Sequence, residues 1–268
     1  MTSPLATAAP DRKPQRVQHE IRRRLLTVHS VQPLGSNMLR IVFTSPDLAG
    51  FYSPGFGDHV KLLLPQPGQA TPDLSAPLAD NDNAAKPVMR DYTPRAFDPQ
   101  TNLLTIDFAL HEAGPATSWA RQAQPGQQVG IGGPRGSLLI PTCFDWHLLI
   151  GDETALPAIS RRLEELPSDA KVVVIAEVAE KAAEIKLPDR AMPAVHWAHR
   201  DKGESLLAAL AGIKLPDGDY HAWVACESSA AKAIRAALIA DHKANPQWLR
   251  AAGYWRRGTP GAHDKIED

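Results

Sequence analysis

The sequence is short of thiols, of net charge and of long apolar runs. Only two cysteines, Cys143 and Cys226, occur in 268 residues. So few thiols, placed so far apart, exclude a disulfide scaffold and an iron–sulfur centre needing about four thiolates, and they fit a reducing, cytoplasmic setting. The 29 Lys and Arg are matched by 30 Asp and Glu, which leaves a formal net charge of -1. Without a global basic field, a general nucleic-acid binder is not expected. No stretch approaches the roughly 20 apolar residues that span a bilayer, so no membrane partner is expected either. The opening residues, MTSPLATAAPDRKPQ, lack an apolar run with a cleavage signal and read as a disordered lead-in over residues 1–15.

Several chemical signatures are missing as well. No G-x-G-x-x-G follows the first strand of the alternating region, which removes the main support for an ordinary NAD-dehydrogenase. GIGGPRGS at 130–137 lacks the G-K-[ST] ending of a phosphate loop and reads as a turn with a ligand-adjacent Arg135. No G-x-S-x-G elbow follows a strand, so a hydrolase is not supported. Among ten histidines, His196 and His199 are the nearest pair. Three residues apart on a strand, they point to opposite faces, and no metal site is expected.

What is present falls into two halves with different periods. Up to about residue 140, short segments rich in Val, Ile, Leu and Thr recur between turns: RLLTVHSV, MLRIVFTS, HVKLLLP, RDYTPR, LLTIDFAL and QVGIGGP. Their alternation predicts an antiparallel β-barrel or sandwich, with one helix, PATSWARQA at 115–123, inserted among the strands. The Pro- and Asp/Asn-rich stretch between residues 65 and 88 predicts a long surface loop that could rim a site. After Pro141 the runs WHLLIGD, KVVVIAEV, VHWAH and YHAWVAC alternate with the helical segments ETALPAISRRLEEL, ESLLAALAG and ESSAAKAIRAALIADHK, as in a parallel sheet covered on both faces. The expected spans are 16–141 and 142–258, with 259–268 a tail.

In an open parallel sheet, ligands lie beyond the carboxyl ends of the strands. GDETALPAIS at 151–160 occupies such a place, where Asp152 or Glu153 could cap the helix and Thr154 could offer a hydroxyl. ACESSAAKAI, with Glu227 and Ser228 opening a helix, occupies another. In the β half, alternation sets Arg90 and Tyr92 on one face of RDYTPR and Asp91 and Thr93 on the other. A guanidinium beside a phenol ring suits a flavin's phosphate and ring system, and the N–H groups opening GPATSW form a seat for a pyrophosphate.

Taken in order, RDYTPR, DFALHEAGPATSWA, VGIGGPRGS, GDETALPAISRRLEEL, ESSAAKAIRAAL and GYWRRG resemble the siderophore-interacting protein family of ferric-siderophore reductases over residues 20 to 258. The resemblance implies an FAD-binding β-barrel domain followed by an α/β parallel-sheet, NAD(P)H-binding-like domain, a ferredoxin-reductase-like fold. It implies cofactor contacts from Arg90, Asp91, Tyr92, Thr93, Asp107, Phe108, His111, Gly114, Pro115, Ala116, Thr117 and Trp119. From the second domain it implies Asp152, Glu153, Thr154, Ala155 and Trp255. Lys61, Arg95, Arg135, Arg256 and Arg257 are candidates to line a basic cleft for an anionic ferric siderophore. Two positions depart from the family pattern: Asp91, where a neutral residue is usual, and Cys226, where a glycine is usual. The expected activity is reduction of Fe(III)-siderophore to Fe(II) through FAD by a monomer, with NADH, NADPH or a reduced ferredoxin left open as donor. Alternatives are a flavin reductase of another acceptor, such as a ferric chelate or quinone, and a non-enzymatic siderophore binder.

Overall fold

The computed structural model describes residues 11–66, 68–75, 89–111, 114–259, 261 and 264–266. Its first half is a curled antiparallel sheet. The strands are β1 (Gln15–Gln18), β2 (Arg23–Leu34), β3 (Met38–Thr44), β4 (Val60–Leu63), β5 (Met89–Tyr92), β6 (Ala96–Asp98), β7 (Leu103–Ala109), β8 (Gln128–Gly132) and β9 (Gly136–Leu139). Seven of them pair in the order β5-β4-β8-β2-β3-β7-β6, while β1 and β9 form a separate two-stranded ribbon. The expected barrel is therefore a half-barrel, because no ladder joins β5 to β6. The half-barrel core is closed by α1 (Pro115–Gln122), whose Ala116 and Ala120 are buried in it and whose Trp119 stacks on Phe43 at 6.4 Å.

The second half contains β10 (Trp146–Asp152), α2 (Leu156–Glu165), β11 (Val172–Val178), β12 (Ala194–His199), α3 (Leu206–Gly212), β13 (Tyr220–Glu227), α4 (Ser228–Ala240), β14 (Leu249–Trp255) and β15 (Asp264–Ile266). The order β12-β11-β10-β13-β14-β15 is parallel except for β15. The chain reverses its winding between β10 and β13, and the crevice of an open sheet lies at such a reversal. β10 is buried along its whole length, which explains its unbroken apolar run. Leu149 packs toward α2, whereas Leu148 and Ile150 pack with residues of α3 and α4. Each such side chain contributes on the order of 2 kcal/mol of burial free energy. Gly151 is required here by close approach: a Cβ would sit 2.7 Å from the Ala225 carbonyl oxygen and against the Ala155 methyl.

The two halves share a core. Met38, Phe56 and Ile140 join the cluster under α2, and the Phe56 ring meets Trp223 at 5.4 Å. Three arginines tie the seam. Arg95 grips Glu164 at 2.6 and 2.7 Å, Arg161 reaches the Pro94 carbonyl at 3.1 Å, and Arg162 reaches the carbonyls of Ile140 and Pro141 at 3.2 and 3.0 Å.

Residues 1–10 of the expected lead-in lie outside the described residues, and at both ends the described residues make contacts. Arg12, placed in the lead-in, donates to the Cys143 carbonyl, pairs with Asp219 and lies over the rings of Phe144 and Trp248 at 5.3 and 5.1 Å. The expected tail returns as β15, pairing antiparallel with β14. Residues 76–88 of the expected surface loop lie outside the described residues. Before them, Leu74 lies against Gly130 of β8, and its carbonyl accepts from Arg23.

Candidate active site between the two sheets

A continuous cleft of about 2640 Å³ runs between the half-barrel and the carboxyl ends of the parallel strands. From the half-barrel, β5 presents both of its faces to it. Tyr92 turns its ring onto Phe108 at 4.3 Å, and burial raises its phenol above the ordinary range. Arg90 lies on the same strand face, and its guanidinium donates to the Met89 carbonyl. On the opposite face Thr93 is buried, and Asp91 pairs with Lys61 at 3.0 Å. The alternation along β5 is as expected. Its consequence is not: Asp91 also lines the cleft, because the second sheet covers that face.

The start of α1 forms the next wall. Gly114 stands at its N-cap with φ of 149°, a left-handed-side conformation that favours glycine, and no side chain caps the helix. A Cβ on Gly114 would meet the His111 ring at 3.4 Å. Pro115 at the first turn has no N–H, and the N–H groups after it are those a helix start leaves without an intrahelical partner. His111 is steered by Thr117, whose hydroxyl lies 3.1 Å from Nδ1. An uncapped helix start, a glycine that leaves the backbone bare, a guanidinium and an aromatic wall together fit a flavin dinucleotide.

From the parallel sheet, Asp152 occupies the reversal point. Its carboxylate accepts the Thr154 N–H at 3.0 Å and hydroxyl at 2.5 Å on Oδ1, and the Trp255 indole N–H at 2.8 Å and Glu227 N–H at 3.2 Å on Oδ2. Burial still outweighs these donors and raises the carboxyl to about 6. Asp152 thereby knots the ends of β10, β13 and β14 together. It does not cap α2 as expected: that helix starts at Leu156 with Ala155 at its N-cap and no side-chain bond. Glu227 does cap α4, accepting from Ser229 N and Ala230 N. The Cys226 thiol is buried, and burial pushes its pKa up, so it is an inert filler beside the crevice.

The other expected residues divide. Glu153 lines the cleft but is committed to the Ala179 N–H and to Arg200, which also reaches Glu177 at 3.2 Å. Asp107 lines it too, with its carboxylate gripped by Arg40 at 2.7 and 2.8 Å. Phe108, Thr117, Trp119 and Ala155 do not face the cleft: the two aromatics back Tyr92 and α1, Thr117 is buried against His111, and Ala155 packs under Gly151. Arg95 is a further correction, being a buried strut to Glu164 rather than a cleft cation. Arg256 is paired with Asp264 at 2.6 Å. Arg135 and Arg257 line the cleft with no ion pair among the described residues.

Sequence reasoning missed Tyr254, Glu177 and Arg200. Glu177 and Arg200 sit at the carboxyl ends of β11 and β12, a position that could have flagged them.

Residues 27–138 match the family described as "Siderophore-interacting FAD-binding domain", and residues 144–258 the family described as "Siderophore-interacting protein". The NADPH-dependent ferric-chelate reductase of Escherichia coli is 36% identical over 249 residues, covering 91% of this chain and 97% of that protein. This chain belongs to the siderophore-interacting protein family. Another relative, the ferric vibriobactin reductase ViuB of Vibrio cholerae, is 35% identical over 88% of this chain and 90% of its own length. The crystal structure of a siderophore utilization protein from T. fusca superposes with a TM-score of 0.84 at 37% identity, covering 93% of this chain and 98% of that one. The half-barrel of this siderophore-interacting protein is thus an FAD-binding domain, and the uncapped α1 start beside Arg90 and Tyr92 lies within it.

Proposed function

We propose that this siderophore-interacting protein uses FAD to reduce Fe(III) held in a siderophore, releasing Fe(II), with NAD(P)H as electron donor. The observation that carries the reading is one opening shared by the FAD-binding half-barrel and the reversal point of a parallel sheet. The activities named for the Escherichia coli and Vibrio cholerae relatives support the acceptor, and the first of them supports NADPH as donor. The protein would work as a monomer in the cytoplasm; among the described residues no helix is long and apolar enough to cross a membrane.

When bound, FAD supplies the change of stride the reaction needs, taking an electron pair and releasing electrons singly. The chain's own groups hold and orient. Arg90 and the first N–H groups of α1 bind the phosphates, His111 and Gly114 shape the wall beside them, and Tyr92 offers a flat side held by Phe108. Asp152, Thr154 and Trp255 form the wall contributed by the second sheet. Arg135 and Arg257, two cleft cations without a carboxylate partner among the described residues, orient the ferric chelate. No general acid or base is needed, because hard oxygen ligands that favour Fe(III) hold Fe(II) weakly once it forms.

The test is anaerobic mixing of the reduced protein with a ferric siderophore, a simple ferric chelate and a quinone. The expected order puts the ferric siderophore first. A quinone reacting fastest would move the protein to another acceptor, and a colourless protein that binds the siderophore alone would make it a carrier.

A further inference from the structure

Lys61 occupies a particular row of the half-barrel. Its neighbour on β8 is Gly132, which has no side chain, and its neighbour on β5 is Asp91. Directly opposed residues on antiparallel strands hold their side chains close together, so the ammonium has a carboxylate on one side and no side chain to compete for it on the other. The Lys61 Nζ lies 3.0 and 3.1 Å from the two Asp91 oxygens, and both side chains are about a quarter exposed, at 26% and 24%. Arg95 is consumed by Glu164 and Arg256 by Asp264. Three of the five cations that the motifs offer to an anionic substrate are therefore already matched.

We infer that Asp91, by holding Lys61, sets the charge selectivity of the acceptor opening and tunes it toward ferric chelates of low negative charge, such as neutral trihydroxamates, over trianionic triscatecholates. The inference rests on the ferric-siderophore reading above. A carboxylate in the row both occupies the one ammonium that lines the cleft among the described residues and adds its own field against an anion. A neutral chelate feels neither effect strongly, and a trianionic one feels both.

Two redox-inert probes separate binding from electron transfer: a Ga(III) triscatecholate and a Ga(III) trihydroxamate, titrated into the FAD-loaded protein while flavin fluorescence is recorded. Asp91→Asn is expected to tighten the triscatecholate by about fivefold or more at low salt, with the gain shrinking as ionic strength rises. The trihydroxamate is expected to stay within about twofold. Asp91→Thr supplies the same loss of charge if the amide perturbs the strand, and adding Lys61→Gln to either variant is expected to abolish the gain. Reduction of the matching Fe(III) chelates is expected to follow in KM rather than kcat. Equal changes for both chelates, no change for either, or a gain that survives Lys61→Gln would overturn the inference while leaving the reductase reading intact. If the unaltered protein neither binds nor reduces either chelate, the reading beneath the inference falls and takes the inference with it.

Discussion

The two ends of the parallel sheet bury ionisable groups on opposite terms. At the carboxyl ends, Asp152 is enclosed yet receives hydrogen bonds from Thr154, Trp255 and Glu227, and Glu153 and Glu177 share Arg200. At the amino ends, His147 and His221 sit side by side on β10 and β13, their ring nitrogens buried without a hydrogen bond of ordinary geometry among the described residues, wedged on Phe144 at 5.8 and 5.6 Å. Burial is the main reason both imidazoles resist protonation, His147 being lowered to about 4 and His221 well below its ordinary value. One end spends its polar groups on holding a cleft open and fixed. The other uses neutral histidines as packing, and its strength depends on their staying neutral.

The contrast breaks most completely if the strand joining the two ends is pushed aside. Gly151→Val places a branched side chain against the Ala225 carbonyl and Ala155, and a loss of more than about 3 kcal/mol, read as a collapsed melting temperature, is expected. A Tm within a few degrees of the unaltered protein would show that β10 and α2 can separate without cost.

Acid then distinguishes the ends by sign. In the unfolded chain His147 titrates at its ordinary value of 6.5, whereas folded it stays neutral down to about 4. The unfolded chain binds more protons between those values, so this contribution is lost as pH falls through the window. At pH 5 the loss is about 2 kcal/mol for such a histidine. Asp152 runs the other way: raised from 3.8 to about 6, it binds its proton more readily when folded, so its burial costs stability as pH rises through 6. Urea unfolding from pH 7.5 to 5 is expected to show falling stability that the double variant His147→Leu with His221→Leu largely flattens. An unchanged slope in that variant would assign the acid sensitivity elsewhere.

At the cleft end the expected effects are smaller on stability and larger on function. Asp152→Ala removes the acceptor for the Trp255 indole and costs about 1–3 kcal/mol. Trp255 is then released, its emission shifting to the red, and ferric reduction falls by about tenfold. Retained activity with an unchanged spectrum would make the Asp152 knot decorative. Smallest of all, Arg257→Glu is expected to slow reduction of an anionic ferric chelate by about threefold, with little effect on a neutral acceptor and none on stability. Equal slowing of both acceptors would remove the steering role.

Much of this architecture was legible in the residues. The alternation of MLRIVFT and LLTIDFA announced β3 and β7, and the unbroken runs of β10, β11 and β13 announced a doubly covered sheet. β14 escaped notice because Arg250 and Gly253 interrupt its apolar pattern, although Gly253 is there to admit Ser228 of α4. β15 is three residues in a polar segment and is made by pairing alone. The site was legible where chemistry travels along the chain, as at Arg90 and Tyr92 or Asp152 and Thr154. It was illegible where the register of distant strands decides: nothing in the spacing of Lys61 and Asp91, or of Arg95 and Glu164, says that one neutralises the other.

The central claim is that the half-barrel face built from Arg90, Tyr92 and the start of α1 grips FAD, and titration of the flavin-stripped protein with FAD tests it most directly. One equivalent is expected to bind with the visible bands of an enclosed flavin, and Arg90→Ala is expected to weaken uptake by about tenfold or more without unfolding the chain. A folded protein that takes up no FAD, or an Arg90→Ala variant that binds it as tightly as before, would contradict the account.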